Sequence, residues 1–250
     1  MHKSISVQEW IQFYKLARAR HNSRKDYQQF QYFQGTILVR YLKDYNVALV
    51  NKQALDLGSG IGGYSKALQE AGSTVIACDR YYRPYEYHGS IIFTDALYTP
   101  FEDKSLDIVV CASLIEHIEN QEGLISEIVR VLRDEGYLYL SFPPYYSILG
   151  GHQFAPYHLL GEKFATMVAL KRGVFTKEQL GECNGSDIFR KIYGAWGLIP
   201  LSISKVSKIL EKYPLKLINR STRWLPIDFS WLPYLGEFLT WHVQFLLQKL

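Results

Sequence analysis

Leu55-Asp56-Leu57-Gly58-Ser59-Gly60-Ile61-Gly62-Gly63, followed by an apolar run closing on Asp79, decides the fold of this chain. An apolar strand enters a glycine-rich turn, a helix over about 64–71 follows, and a second strand over 74–78 ends beside an acid. That is the first half of a nucleotide-binding βαβ unit. Glycine lets the backbone turn tightly and approach a ligand closely, and the acid stands where a ribose diol would lie.

Gly58, Gly60 and Gly63 also fit the G-x-G-x-x-G pattern of dinucleotide enzymes, a weak signal alone. Asp56 opposes that reading, because a carboxylate near the turn repels a pyrophosphate seated at a helix N-terminus. It suits a ligand with an ammonium or sulfonium centre. S-adenosylmethionine has both cations and no phosphate. Further strands are expected over 90–93, ending at Asp95, and over 106–111, ending at Ser113. Acids therefore gather at the carboxyl ends of the strands, where open α/β sheets bind ligands.

Four stretches in order make the pattern specific: the glycine loop, Pro100 to Val110, Leu114-Ile115-Glu116-His117-Ile118, and Glu127-Ile128-Val129-Arg130-Val131-Leu132. Together they resemble the class I S-adenosylmethionine-dependent methyltransferases, in the branch called methyltransferase type 11, over roughly residues 50–142. The resemblance implies that Asp56, Gly58, Ser59, Gly60 and Gly62 line the methionine half of the cofactor. Asp79, with Arg80 beside it, would meet the ribose, and Asp95 and Ala96 the adenine. Ser113 and Leu114 would pass beneath the transferable methyl. Where the family often carries Pro-Gly-Gly before strand five, this chain has Asp134-Glu135-Gly136-Tyr137, a change expected in a surface loop.

The implied fold is α/β: a Rossmann-like, seven-stranded, mostly parallel sheet with flanking helices, the last strand antiparallel and a cap inserted after strand five. One domain of 250 residues is expected, 48% hydrophobic and 21% charged, enough for a sizeable core. Residues 1–50 form N-terminal helices, 51–142 the cofactor half, 143–200 the cap, and 201–250 a closing helix with two antiparallel strands. Ser6 and Glu9 make a capping box for the first helix, and a second runs over about 27–42. Strand five spans 137–142 and stops at Pro143-Pro144. A closing helix over about 202–213 precedes paired strands over 215–224 and 241–250.

A net charge of +4 without a dense Lys/Arg cluster suggests no nucleic-acid partner. Cys78, Cys111 and Cys183 read as small core residues of a reducing compartment. The first residues hold no apolar signal core and no apolar run approaches transmembrane length, so a cytoplasmic location is expected.

Methyl transfer relies on positioning, and on a base where a hydroxyl accepts the methyl. His117, just past strand four, and His152 and His158 in the cap are the candidate bases. The gap between His152 and His158 matches no tight ligand motif, so no metal is expected. The tyrosine- and histidine-rich cap points to a small-molecule, natural-product or glycan hydroxyl. A C- or N-methyltransferase acting on a quinone, lipid or amine is the alternative, and a non-catalytic binding module a third. The apolar stretch 224–235 fits a lipid-linked substrate, a peripheral membrane contact or a dimer interface, leaving monomer and homodimer both open.

Overall fold

The computed structural model describes residues 5–80, 90–173 and 199–250; Cys183 and the later part of the expected cap lie outside them. Two helices open the chain, α1 (Val7–Ala19) and α2 (Arg24–Asp44). The Ser6 hydroxyl accepts the Glu9 N–H at 3.2 Å while the Glu9 carboxylate takes the Ser6 N–H at 2.8 Å, the reciprocal cap expected. Ser23 caps α2 through the Asp26 N–H, so this helix begins at Arg24 instead of Tyr27. Then follow β1 (Gln53–Leu57), α3 (Gly63–Glu70), β2 (Thr74–Asp79), β3 (Ser90–Phe93), β4 (Leu106–Ala112), α4 (Gln121–Val131) and β5 (Leu132–Phe142). The remainder is α5 (Glu162–Lys171), α6 (Ile203–Leu210), β6 (Leu215–Thr222), α7 (Leu235–Leu239) and β7 (Val243–Lys249).

The strands form one sheet in the order β3-β2-β1-β4-β5-β7-β6. All pairs from β3 to β5 are parallel, and β7 runs antiparallel to both β5 and β6. The chain turns outward in both directions from the β1/β4 junction, the switch point where such sheets open a crevice at their carboxyl ends. β5 begins earlier than expected, at Leu132. Its register against β4 shifts between Leu106 and Ile108, and Glu135 takes a left-handed φ of 63°. Residues 133–136 thus form an irregularity within β5, opposite Asp107 alone, and 133–135 are exposed.

Alternation along the strands divides the core in two. Leu55, Leu57, Val109, Cys111, Leu138 and Leu140 face α4 and α6, joining Ile125, Ile128, Val206 and Ile209. Ala54, Ile108, Val110 and Tyr139 face the other way, onto Leu38, Tyr41 and Leu42 of α2 and Leu68 of α3. Arg130 explains why two of the sequence stretches travel together. From α4 it donates to the carbonyl of Phe101 at 2.8 Å and to Asp103 at 2.6 Å, while Glu127 accepts the Thr99 N–H at 2.7 Å. The loop entering β4 is clamped to the helix behind it. Among the described residues, no helix is long and apolar enough to cross a membrane.

Candidate active site

The turn after β1 is shaped by hydrogen bonds to the end of β2. The N–H groups of Gly58 and Ser59 both donate to the Cys78 carbonyl, at 2.8 and 2.9 Å. The Gly60 N–H donates to the Asp79 carboxylate at 2.9 Å, fixing that acid at the mouth of the turn. Gly58 and Gly60 hold φ of 77° and 59°, which side chains rarely adopt.

Beyond the turn lies a cavity of about 720 Å³, in the size range of ligand sites. Gly58, Gly60, Asp79, Arg80, Asp95, Ala96, Ser113, Leu114, His117 and His152 all line it, so most of the expected set converges. Asp95 also accepts the Leu97 N–H at 3.0 Å, closing its own turn. Ser113 holds a φ of 56°, a costly conformation typical of functional positions.

Asp56, Ser59, Gly62 and His158 are not in the lining. Asp56 is 1% exposed and accepts the Ser65 hydroxyl of α3 at 2.5 Å, so it stands behind the turn. Burial pushes its carboxyl up to about 6. His158 is buried, with Nε2 2.7 Å from the Tyr145 carbonyl and its ring beneath Gly151. A Cβ at Gly151 would stand 2.2 Å from that ring. His158 therefore shapes the turn that carries His152.

The α3 N-terminus, where a pyrophosphate would bind, is covered by α2. The Gly63 N–H reaches the Gln31 Oε1 at 3.4 Å, and a Cβ on Gly63 would stand 2.5 Å from the Tyr32 backbone nitrogen. The Gly62 N–H donates to Ser59. The turn thus offers a close backbone and a fixed acid to a nucleoside, with no cradle for a diphosphate. These residues fit S-adenosylmethionine: the Gly58–Gly60 turn would hold its methionine end, Asp79 its ribose, and Asp95 with Ala96 its base.

Past β4, a single helical turn over 115–117 presents His117 to the cavity. Its ring centroid lies 5.4 Å from that of His152, which arrives from the segment after β5 with a left-handed φ of 51°. Glu116 sits under both, 1% exposed. Its Oε1 is 4.0 Å from Nε2 of His117 and 3.8 Å from Nε2 of His152. Burial pushes the Glu116 carboxyl up to about 8 and, with the His117 ring beside it, draws His152 down to about 3.

Several lining groups were invisible in sequence. Phe13, Arg20, His21, Tyr27, Phe30, Gln31 and Gln34 come from α1, α2 and the link between them, and Trp224, Trp241 and His242 from the ends of β6 and β7. His242 Nε2 stands 3.2 Å from the Ser113 hydroxyl, and burial draws its pKa well below the usual imidazole value. Topology held a signal for it. Val243 pairs with Phe142, so the residue before an antiparallel β7 must lie at the carboxyl edge of β5. Phe13 stacks on Trp224 with centroids 4.4 Å apart, and Trp10 donates to the Trp224 carbonyl at 2.7 Å. The N-terminal helices are thereby fastened over the cavity.

This strand order, with the glycine turn at the switch point and the antiparallel β7, is the class I S-adenosylmethionine-dependent methyltransferase fold. Residues 55–140 match the family described as a methyltransferase domain. An uncharacterized methyltransferase of Mycobacterium leprae is 28% identical over 152 residues, covering 56% of each chain. One of Mycobacterium avium is 29% identical over 138 residues, covering 51% of this chain and 54% of its own. The chain spans just over half the length of these curated relatives. Among solved structures, an S-adenosylmethionine-dependent methyltransferase of Mesorhizobium loti superposes with a TM-score of 0.52 at 14% identity, over 81% of this chain and 93% of its own. One of Methanosarcina mazei gives 0.51 at 18% identity, over 84% and 98%.

Proposed function

We propose that this chain moves a methyl group from S-adenosylmethionine to a hydroxyl of a small-molecule, natural-product or glycan acceptor. The observation that carries the reading is the pair of imidazoles, His117 and His152, on the cavity wall beside Ser113 and Leu114. When bound, the cofactor supplies a methyl activated by its sulfonium. The chain supplies alignment and a dry site, the larger part of catalysis for a displacement of this kind. Ser113, held by its N–H to the Ser141 carbonyl at 2.8 Å, and Leu114 would fix the floor on which the reacting atoms meet. His152, held neutral by its partial burial and the neighbouring His117 ring, offers a lone pair to an acceptor proton. Pro143, Leu149, His152, Ala155 and Arg172 would close the acceptor side as a cap.

A second reading, a hydroxyl on a lipid-linked carrier, is favoured by one surface. Ile227, Trp231, Leu232, Tyr234 and Leu235 are all exposed in the β6–β7 connection. Incubation with methyl-labelled S-adenosylmethionine and a panel of phenols, sugars, amines and lipid-linked acceptors, read by mass spectrometry, tests both. Label on oxygen supports the proposal. Label confined to nitrogen or carbon, or binding without turnover on any acceptor, defeats it.

A further inference from the structure

We propose that Glu116, His117 and His152 together hold one divalent transition-metal cation at the acceptor end of the cavity. One ligand atom from each residue lies within 4.8 Å of the other two. Ligands of a tetrahedral ion with bonds of about 2.1 Å stand about 3.4 Å apart. The Glu116–His separations of 3.8 and 4.0 Å exceed that by a few tenths of an ångström, within reach of small side-chain rotations.

A second observation is independent of this spacing. Glu116 is buried to 1% exposure, and neither of its carboxylate oxygens has a hydrogen-bond partner among the described residues. An isolated buried carboxylate is costly unless a proton or a cation compensates it. This one is aimed at two imidazoles whose nitrogens are themselves good ligands. Its helical turn is anchored, since the Glu116 carbonyl accepts the Ile199 N–H at 2.9 Å.

The donor set selects the ion. One carboxylate and two imidazoles suit zinc, cobalt, manganese or iron in the divalent state, whereas magnesium and calcium favour all-oxygen sites. Three protein ligands leave at least one coordination position open, the pattern of catalytic sites. That position faces the cavity, because His117 and His152 line it while Glu116 lies behind them. An acceptor oxygen binding there would be held beside Ser113 and Leu114 with its proton acidified by the ion. The two histidines then act as ligands and the cation supplies the acidity. This consequence rests on the hydroxyl reading above; the metal site itself does not.

The test uses the full chain, stripped with a chelator and titrated with Co²⁺, following visible ligand-field absorption and calorimetric heat, with Zn²⁺ as competitor. The expected result is one Co²⁺ per chain, displaced by Zn²⁺. Affinity should fall at least 100-fold in Glu116→Gln and in His152→Asn, with melting temperatures showing that the variants fold. His152 lies on a partly exposed turn, so its variant keeps the test open if Glu116→Gln fails to fold. No stoichiometric binding by folded wild type, or binding unchanged in the folded variants, overturns the site. Binding is read without turnover, so its failure leaves the hydroxyl reading untouched. A bound ion in an enzyme that labels only nitrogen or carbon defeats the hydroxyl reading and leaves the site standing.

Discussion

Asp56→Asn separates two roles for the acid that precedes the glycine turn. Asp56 is buried against Ser65, and burial raises its carboxyl from 3.8 to about 6. A group whose folded pKa is raised gives its full stability below the unfolded pKa and loses it as pH climbs through the folded one. Each pKa unit is worth about 1.4 kcal/mol, so the shift of about two units withdraws at most about 3 kcal/mol between acid and neutral pH. About 2 kcal/mol of that falls between pH 4.5 and 8. Asparagine does not ionise, and its carbonyl can still accept the Ser65 hydroxyl. The stability of Asp56→Asn relative to wild type should therefore rise by about 2 kcal/mol across that range, measured by urea unfolding at matched ionic strength. Cofactor affinity should change little, since Asp56 is not on the cavity wall. A stability difference that stays flat with pH, together with a large loss of affinity, would refute this. It would show an acid kept ionised to serve a cationic ligand directly.

Asp79→Ala removes a carboxylate pinned by the Gly60 N–H at the cavity mouth, and should weaken S-adenosylmethionine binding by about 2–4 kcal/mol in calorimetry. Asp95→Asn should cost affinity without lowering the melting temperature; the reverse pattern would mark it as a turn residue only. Gly63→Ala drives a Cβ to 2.4 Å from Gln31 Cβ and 2.5 Å from the Tyr32 nitrogen, and should destabilise the fold by about 3 kcal/mol or more in denaturant unfolding. His117→Ala and His152→Ala should each lower turnover on a hydroxyl acceptor about 100-fold with cofactor affinity nearly unchanged, and His158→Ala should act on melting temperature before turnover.

Which of these residues could be read from sequence follows from how each is held. Asp79, Asp95 and Ser113 were legible because each ends a short apolar strand, and a parallel sheet brings such ends to one edge whatever packs around them. Asp56 belongs to the same motif, and its side chain lies behind the turn, outside the cavity lining. Alternation along β1 sends Leu55 and Leu57 to one face and Asp56 to the other, against α3. The helices over the cavity were legible as helices, while Gln31 was not legible as the cover of the α3 N-terminus. That contact depends on how closely α2 and α3 approach, and only Gly63 hints at it. The histidines show the limit most plainly. Linear spacing pairs His152 with His158, whereas the fold turns His158 inward to the Tyr145 carbonyl and brings His152 across to Glu116 and His117. The Gly150-Gly151 pair makes that turn possible, since a Cβ on Gly150 would stand 1.9 Å from the Pro144 carbonyl oxygen. A ligand set assembled from one helical turn and a distant loop has no fixed spacing in the chain. Its trace in sequence is the Glu116-His117 pair placed directly after a strand at the switch point, where burial turns an ordinary acid into one that needs a cation or a proton.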